Sequence, residues 1–279
     1  MNKGEQKSHS KFEPSETTQR ILMIAGKAAE LLMQARQSQL EVKFKKDDKF
    51  DPVTIADKSS DDLIRGFLAK EFPGDLVLSE ENENIPHDYK GRVWMVDPLD
   101  GTKDYIKGGD GFSINIGLCE NGKLVMGVVD IPERRQVYFA EKGKGSFRQI
   151  GSEVQRIHVS DTVELSKSRL ITRISTGDIR PLDAVLTKIN VAERIEESSI
   201  GIKLSRIAAG EAEALVNTNF RASKWDTAGP QLILEEAGGM VTDIDGNPLD
   251  YTQPEVNWSR SFIAANNKSI HQNIVEAMK

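Results

Sequence analysis

The chain has 279 residues, of which 38% are hydrophobic and 29% charged, proportions typical of a globular protein with a substantial core. Its 37 basic and 43 acidic side chains give a net charge of −6, which argues against binding to a nucleic acid polymer because such binding depends on clusters of cations. The single cysteine, Cys119, excludes an intrachain disulfide and a cysteine-rich metal site. The polar N-terminus lacks an apolar signal core, and no apolar run approaches the ~20 residues of a membrane span. We therefore expect a cytoplasmic protein without membrane insertion.

The first half of the chain is predicted to combine two helices with a mostly antiparallel sheet. Residues 1–15 are expected to form a flexible tail, and apolar residues at helical spacing predict an amphipathic helix over roughly 16–38. A polar stretch breaks this pattern, and a second helix is predicted to follow Asp57 and to end at Pro73-Gly74. Strands are predicted at 76–78, 93–96, 113–119, 123–130 and 136–140, with turns at Glu120-Asn121-Gly122 and 142–145.

The second half is predicted to alternate strands and helices. Strands are expected near 168–172, 194–198, 214–217, 240–243 and 262–265, and helices near 180–190, 202–210 and 226–237, with a last helix that ends at 278. No internal repeat or low-complexity linker separates the halves. We expect an N-terminal α+β domain at 16–155 with most candidate metal ligands. A C-terminal α/β domain at 156–279 would carry Asp226 and the residues that select the substrate.

The stretch VWMVDPLDGTKDY, at residues 93–105, is the most informative part of the sequence. A hydrophobic strand leads directly into Asp97, and Asp100 follows three residues later. Two carboxylates at the end of a buried strand would repel one another, and desolvation would add to the cost. A Mg²⁺ ion removes both problems because it prefers hard oxygen ligands. The alternative is a solvated Asp-Pro turn without a ligand.

The residues between and after these two aspartates suit the same site. Pro98 makes the turn abrupt and directs the carbonyl of Leu99, rather than its side chain, toward the same point. Gly101 and Thr102 would open a turn or helix whose free backbone N–H groups can receive a phosphate.

Three other acidic positions also lie where a strand ends or a helix begins. Asp57 precedes a predicted helix, a position that also suits a plain N-cap. Glu80 and Glu81 directly follow an apolar strand, although adjacent acids usually form a solvated surface pair. Asp226 follows an aromatic residue and precedes an apolar helix, where an N-cap is again the alternative. Side chains at such junctions can converge on one point.

The motifs DPVTIAD, SEE, DPLDGT and WDTAGP, followed by GG and TDIDG, resemble those of the lithium-sensitive, Mg²⁺-dependent phosphomonoesterases that include the inositol monophosphatases. The resemblance runs from about residue 17 to 268. It implies an α+β fold, layered as an α/β/α/β/α sandwich similar to that of fructose-bisphosphatase. It also implies a metal-dependent phosphoric monoester hydrolase with two or three Mg²⁺ ions and a small phosphorylated substrate, and it favours a monomer or a homodimer.

The resemblance assigns roles residue by residue. The implied metal ligands are Glu80, Asp97, the Leu99 carbonyl, Asp100 and Asp226, with Asp97 bridging two ions. Asp57 and Thr102 match the pair that assists the attacking water, while Gly101, Thr102, Lys203 and Asp226 are the expected substrate contacts. No histidine or cysteine lies in these motifs, so direct attack by water without a phosphoenzyme is expected.

Three local features resemble the 3′(2′),5′-bisphosphate nucleotidases within this superfamily. DPLDGT continues as KDY, similar to the DPLDGTKE(F/Y) of those enzymes, with Asp104 in place of glutamate. Lys203 lies seven residues before Gly210, where those enzymes place the lysine that contacts the second phosphate; the alternative is an exposed helix lysine. Asn219 replaces the glutamate that inositol monophosphatases place seven residues before Asp226.

The surrounding residues supply one further indication and one departure. Arg221 or Lys224 could add positive charge toward a nucleotide phosphate. The serine pair that often lies just before the lysine is displaced to Ser198-Ser199, and Ile200 and Gly201 stand in its place.

These features predict hydrolysis of adenosine 3′,5′-bisphosphate to AMP and phosphate. An inositol monophosphatase or a broad-specificity sugar phosphatase is the alternative among enzymes. A non-catalytic phosphate-binding regulator would be expected to lose a metal ligand, whereas every ligand position is filled here. A lithium- or Mg²⁺-sensing protein would differ from an enzyme in showing no turnover.

Overall fold

The computed structural model describes residues 13–37, 42–45, 48–82, 89–173, 185–217 and 222–278, with only the backbone described for 42–45 and 48–53. Within these residues, the helices of six residues or more are α1 (Glu16–Gln37), α2 (Ile55–Glu71), α3 (Thr102–Lys107), α4 (Ile200–Ala208), α5 (Lys224–Glu236) and α6 (Lys268–Ala277). The strands are β1 (Val42–Lys45), β2 (Asp48–Thr54), β3 (Leu76–Ser79), β4 (Arg92–Asp100), β5 (Ser113–Glu120), β6 (Lys123–Ile131), β7 (Gln136–Glu141), β8 (Gly145–Ile150), β9 (Glu153–Ile157), β10 (Arg169–Arg173), β11 (Glu193–Glu197), β12 (Ala214–Asn217), β13 (Met240–Asp243) and β14 (Phe262–Ala265). None of the described helices is both long and apolar enough to span a membrane.

Two sheets organise the chain. The first has the strand order β3-β4-β5-β6-β7-β8-β9, with β3 parallel to β4 and every later pair antiparallel. The second has the order β11-β10-β12-β14-β13, with β10 parallel to both of its neighbours and β14 antiparallel to both of its own. Strands β1 and β2 form a separate antiparallel hairpin. The predicted α+β fold is confirmed.

The layers follow from the alternation of side chains along buried strands. On β4, Trp94 and Val96 belong to a core that the apolar faces of α1 and α2 cover. Val93 and Met95, which point to the opposite face, belong to a second core together with α4, α5 and residues of the second sheet. A third core joins the outer face of the second sheet to α6. The sequence of layers is therefore helices, sheet, helices, sheet, helix.

Most predicted elements are confirmed. The helix predicted over 16–38 is α1, and the strands predicted at 240–243 and 262–265 are β13 and β14. Between β5 and β6, Asn121 has φ 50° and Gly122 has φ 81°. A two-residue type I′ hairpin turn requires positive φ at both of its central residues. Cys119 is a buried residue of β5, and burial raises the pKa of its thiol to about 11, in agreement with a core role.

One hairpin that was not predicted and two helix starts correct the expected secondary structure. The polar stretch after α1 contains a hairpin, with Val42 of β1 opposite Thr54 of β2. Helix α2 begins at Ile55, so Asp57 lies inside it rather than before it. Helix α5 likewise begins before Asp226. In both helices the N-cap is a hydroxyl residue that lies three positions before the aspartate, Thr54 in α2 and Ser223 in α5.

Several expectations fall outside the described residues or stay predictions. Residues 180–184 of the helix predicted near 180–190, and most of the tail, at 1–12, lie outside the described residues; of the described 185–190, only 185–186 are helical. Ser15, the last residue of that tail, donates its backbone N–H to a Glu141 carboxylate oxygen at 2.7 Å. The predicted boundary between 155 and 156 falls within β9, and the division into two domains stays a prediction.

Candidate active site

Three aspartates that are distant along the chain meet at one point. One carboxylate oxygen from each of Asp97, Asp100 and Asp226 lies within 4.8 Å of those of the other two. Asp97 is only 1% exposed, whereas the other two are partly exposed, so the cluster opens to solvent on one side. The convergence expected from the sequence is therefore present for these three residues.

The end of β4 presents the first two of these acids. The pairing of β4 with β5 changes register between Asp97 and Asp100, which turns the chain at Pro98. The Leu99 N–H donates to Asp97 Oδ1 at 3.0 Å, and the Thr102 hydroxyl oxygen lies 3.1 Å from the Leu99 carbonyl oxygen. The turn therefore brings two carboxylates and one carbonyl, all hard oxygen donors, to the same sheet edge.

Asp226 and Asp57 are each held by the same local device, a capping box. In α5, the Ser223 N–H donates to Asp226 Oδ2 at 2.6 Å, and in α2 the Thr54 N–H donates to Asp57 Oδ2 at 2.8 Å. The predicted alternative, that either aspartate is itself the N-cap, is wrong, because Ser223 and Thr54 occupy those positions. The box fixes one oxygen of each carboxylate, and Asp57 presents its other oxygen to Thr102.

Glu80 lies beside this cluster. It directly follows β3, and its N–H donates to the Val96 carbonyl at 3.2 Å, one residue before Asp97. Burial raises the pKa of Asp97 well above its usual range, and the charges of Glu80, Asp100 and Asp226 raise it further. Burial likewise raises the pKa of Asp226, with added repulsion from Asp100 and Glu80.

This electrostatic situation fits a divalent cation. Several carboxylates around a desolvated point cannot all be ionised unless a positive charge offsets their repulsion. The donors are exclusively oxygens, the preference of Mg²⁺ and Ca²⁺ rather than of softer metals. The residues present therefore fit a Mg²⁺ site.

A second functional pair adjoins the cluster. Thr102 Oγ1 lies 3.1 Å from Asp57 Oδ1 and 3.1 Å from the Leu99 carbonyl oxygen. Burial raises the pKa of Asp57, and hydrogen bonds from Thr54 and Thr102 partly oppose that rise. A buried carboxylate with a raised pKa, linked to a hydroxyl beside a metal site, is suited to accept a proton.

Gly101 allows the chain to turn from β4 into α3. Its φ of 92° lies in the left-handed region, and an added Cβ would lie 2.5 Å from the Gly111 carbonyl oxygen. Thr102 is the first residue of α3, where backbone N–H groups have no acceptor within the helix. The expected role of the Gly101 and Thr102 amides in holding phosphate stays a prediction.

The residues predicted to recognise a nucleotide have different placements. Lys203 is in the first turns of α4 and is only 4% exposed, so the alternative of an exposed helix lysine is wrong. Lys224 is buried; its ammonium donates to the Tyr251 carbonyl at 3.2 Å and lies 4.0 Å from the centre of the Tyr89 ring. Burial lowers the pKa of Lys224 to about 8. The ammonium is committed to these structural contacts, which corrects the hypothesis that it serves a nucleotide phosphate.

Other residues named from the sequence have structural roles or lie outside the described part. Asp104 Oδ2 accepts the Gly111 N–H at 2.6 Å and so fixes the loop after α3. Asn219 and Arg221 lie outside the described residues.

The groups that hold the end of β4 and the candidate ligands were not predicted from the sequence. Ser60 donates its hydroxyl to the Pro98 carbonyl at 3.0 Å, and Ser199 donates to Asp100 at 2.7 Å. The capping serine and threonine that precede Asp226 and Asp57 were visible as a hydroxyl residue three positions before an acid. No local signal connects Ser199 with Asp100, because 99 residues separate them.

Comparison with known proteins gives one consistent group. The model of the family described as "Inositol monophosphatase family" matches residues 13–279. The 3′(2′),5′-bisphosphate nucleotidase CysQ of Haemophilus influenzae is 29% identical over 89% of this chain and 92% of its own length. The histidinol-phosphatase of Mycobacterium tuberculosis is 31% identical over 81% of this chain and 86% of its own. The solved structure of the Thermotoga maritima IMPase superposes with a TM-score of 0.80 at 28% identity, covering 94% of this chain and 96% of that one.

Proposed function

Since the chain belongs to the inositol monophosphatase family and is a phosphatase that acts on phosphomonoesters, we propose that it is a Mg²⁺-dependent 3′(2′),5′-bisphosphate nucleotidase. The proposed reaction converts adenosine 3′,5′-bisphosphate and water to AMP and phosphate. The observation that carries the catalytic part is the cluster of Asp97, Asp100 and Asp226 beside the Asp57–Thr102 pair.

The residues that would hold the metal are Glu80, Asp97, the Leu99 carbonyl, Asp100 and Asp226. Two or three Mg²⁺ ions held there would supply charge stabilisation for the transferring phosphoryl group and a lower pKa for the attacking water. The Gly101 and Thr102 amides would bind the phosphoryl oxygens, in line with the preference of anions for the beginning of a helix.

Thr102 and Asp57 would move the proton of the attacking water. The Thr102 hydroxyl carries one proton, and its oxygen is 3.1 Å from Asp57 Oδ1. As water attacks phosphorus, Thr102 accepts the water proton and passes its own to Asp57, and the bond from phosphorus to the ribose 3′ oxygen breaks. The leaving oxygen takes a proton from solvent. The raised pKa of Asp57 supports its role as the final acceptor near neutral pH.

The position of Lys203 favours a substrate with a second phosphate. The backbone N–H of Lys203 donates to the Ser199 carbonyl at 3.2 Å, so the two residues lie on the same face of α4. Long helical side chains point back toward the helix N-terminus, which here is the end that is hydrogen-bonded to Asp100. A buried lysine in this first turn can supply a fixed positive charge for the 5′-phosphate, apart from the metals.

The comparisons also support two other candidate substrates. The relative at 31% identity is named a histidinol-phosphatase, and the matching family is named for inositol monophosphate hydrolysis. A direct assay separates these candidates: phosphate release with Mg²⁺ from adenosine 3′,5′-bisphosphate, inositol 1-phosphate, histidinol phosphate and fructose 1,6-bisphosphate. We expect the highest kcat/KM for the nucleotide, and a higher value for any other substrate would overturn the proposed specificity.

Removing the Lys203 ammonium tests its selectivity role. Lys203→Ala should raise KM for adenosine 3′,5′-bisphosphate much more than KM for adenosine 3′-monophosphate, which lacks the 5′-phosphate. Lys167→Ala, at an exposed lysine with 69% side-chain exposure, is the matched control and should change neither value. Equal effects of Lys203→Ala on both substrates would remove Lys203 as the selectivity residue.

A further inference from the structure

The first turn of α4 holds the side chain of Asp100. The Ser199 hydroxyl donates to Asp100 Oδ2 at 2.7 Å, the Gly201 N–H donates at 3.0 Å, and the Asn115 side-chain amide donates at 3.3 Å. Among the described residues, all three of these donors have Asp100 Oδ2 as their acceptor. They use the acceptor capacity of that oxygen and leave Oδ1 as the oxygen with room for a cation.

Ser199 performs two tasks with one hydroxyl group. It is the N-cap of α4, and its oxygen accepts the Ile202 N–H at 3.0 Å. Its only hydroxyl proton is directed to Asp100, since a carboxylate ion has no proton to donate. The Ser113 hydroxyl oxygen of β5 lies 2.7 Å from Ser199 Oγ, so the cap, the neighbouring strand and the aspartate form one connected unit.

Gly201 permits this close approach. A Cβ at this position would collide with Asn115 Oδ1 and would lie 2.6 Å from Ser113 Oγ. Both of those side chains are buried on β5. Any side chain at residue 201 would therefore push the start of α4 away from β5 and lengthen the hydrogen bond from the Gly201 amide to Asp100.

We propose that Ser199 and Gly201 are positioning residues of the metal site, which fix the Asp100 carboxylate so that it binds Mg²⁺. They act through their hydrogen bonds to Asp100. The inference rests on the proposed metal-dependent function, in which Asp100 is a ligand. It implies that a helix following the second sheet's β11 completes a metal site built mainly on the first sheet.

The test measures Mg²⁺ binding to the full chain by isothermal titration calorimetry, without substrate. Ser199→Gly removes the hydroxyl but keeps a residue that helix N-caps tolerate, so helix loss is avoided. We expect its Mg²⁺ dissociation constant to rise about 10–100-fold, the usual effect of removing a group that orients a metal ligand. Turnover should fall at low Mg²⁺ and recover as Mg²⁺ is raised. Gly201→Ala should weaken binding in the same direction, whereas Ser199→Thr, which keeps the hydroxyl, should restore most of the affinity.

Ser205→Ala is the matched control on the same helix. Ser205 is fully buried, and its hydroxyl has no hydrogen-bond partner among the described residues, so we expect Mg²⁺ affinity to stay at the wild-type value. An unchanged dissociation constant in folded Ser199→Gly, beside an active wild type, would overturn the inference alone. Wild-type Mg²⁺ binding without phosphate release from any tested substrate would overturn the proposed function alone. Absence of Mg²⁺ binding in the wild type would overturn both.

Discussion

Asp130 provides a quantitative test of how the first sheet is packed. It lies on β6 opposite Ile114 of β5 and Val137 of β7, on the face of the sheet that α1 covers, and it is only 5% exposed. Burial raises the pKa of its carboxyl to about 7. Asp130→Asn keeps the shape of this side chain and removes its charge.

The expected magnitude follows from the difference between the folded and unfolded states. An unfolded aspartate has a pKa of ~3.9, about three units below the pKa of about 7 in the folded chain. Each pKa unit corresponds to about 1.36 kcal/mol of free energy. The upper limit of the effect is therefore ~4 kcal/mol. Between pH ~4 and ~7 the folded state binds more protons than the unfolded state, so the free energy of unfolding falls as pH rises. Above pH ~7 Asp130 is ionised in both states, and the stability that came from its bound proton is fully lost.

Urea unfolding of wild type and Asp130→Asn from pH 5 to 8, in EDTA, isolates this group because other titrations cancel in the difference. We expect the variant to gain about 2–3 kcal/mol of stability relative to wild type between pH 5 and 8, since about two of the three pH units fall within this range. Asp110→Asn is the control: the hydrogen bond from Arg134 holds the pKa of Asp110 below its usual value, so its difference curve should be flat in this range. A flat curve for Asp130→Asn as well would refute the reasoning.

The other predictions concern the candidate site. Asp97→Asn and Asp226→Asn should each abolish phosphate release while circular dichroism still shows a folded chain, and near wild-type turnover in either would contradict the ligand assignment. Thr102→Val should lower kcat by about 10²–10⁴-fold, the usual contribution of general base catalysis, while calorimetry shows retained Mg²⁺ affinity; an equal loss of Mg²⁺ binding would give Thr102 another role. Gly101→Ala would place a Cβ 2.5 Å from the Gly111 carbonyl oxygen, so turnover and melting temperature should both fall, and unchanged values would show that the turn relaxes.

The sequence predicts the candidate site well where its chemistry is local. Asp97 and Asp100 follow a buried strand within four residues, so their repulsion and the need for a cation are visible without coordinates. Asp57 and Asp226 are also predicted, since each lies at the start of a predicted helix, although the capping boxes that hold them were not recognised. Glu80 is predicted only from the family resemblance. Without it, the adjacent acids Glu80 and Glu81 would be interpreted as a solvated surface pair.

Features that depend on contacts distant in sequence could not be predicted. The hydrogen bond from Ser199 to Asp100 joins α4 to the end of β4, and the burial of Lys224 depends on a carbonyl at Tyr251. Neither contact leaves a periodic signal in the sequence. The hairpin of β1 and β2 was missed for a different reason. Val42 and Phe44 alternate with lysines, which is the pattern of a strand, but only over four residues, and Pro52 within β2 argues against a strand there.

The central claim is that Asp97, Asp100 and Asp226, with Glu80 beside them, bind divalent ions that serve phosphate release. The most direct measurement is a crystal structure with Mn²⁺ in place of Mg²⁺ and inorganic phosphate, read by the anomalous signal of the metal. We expect at least one anomalous peak bonded to oxygens of Asp97 and Asp226, with phosphate against the beginning of α3. Well-ordered carboxylates at this point without a peak, while Mn²⁺ supports phosphate release in solution, would contradict the account.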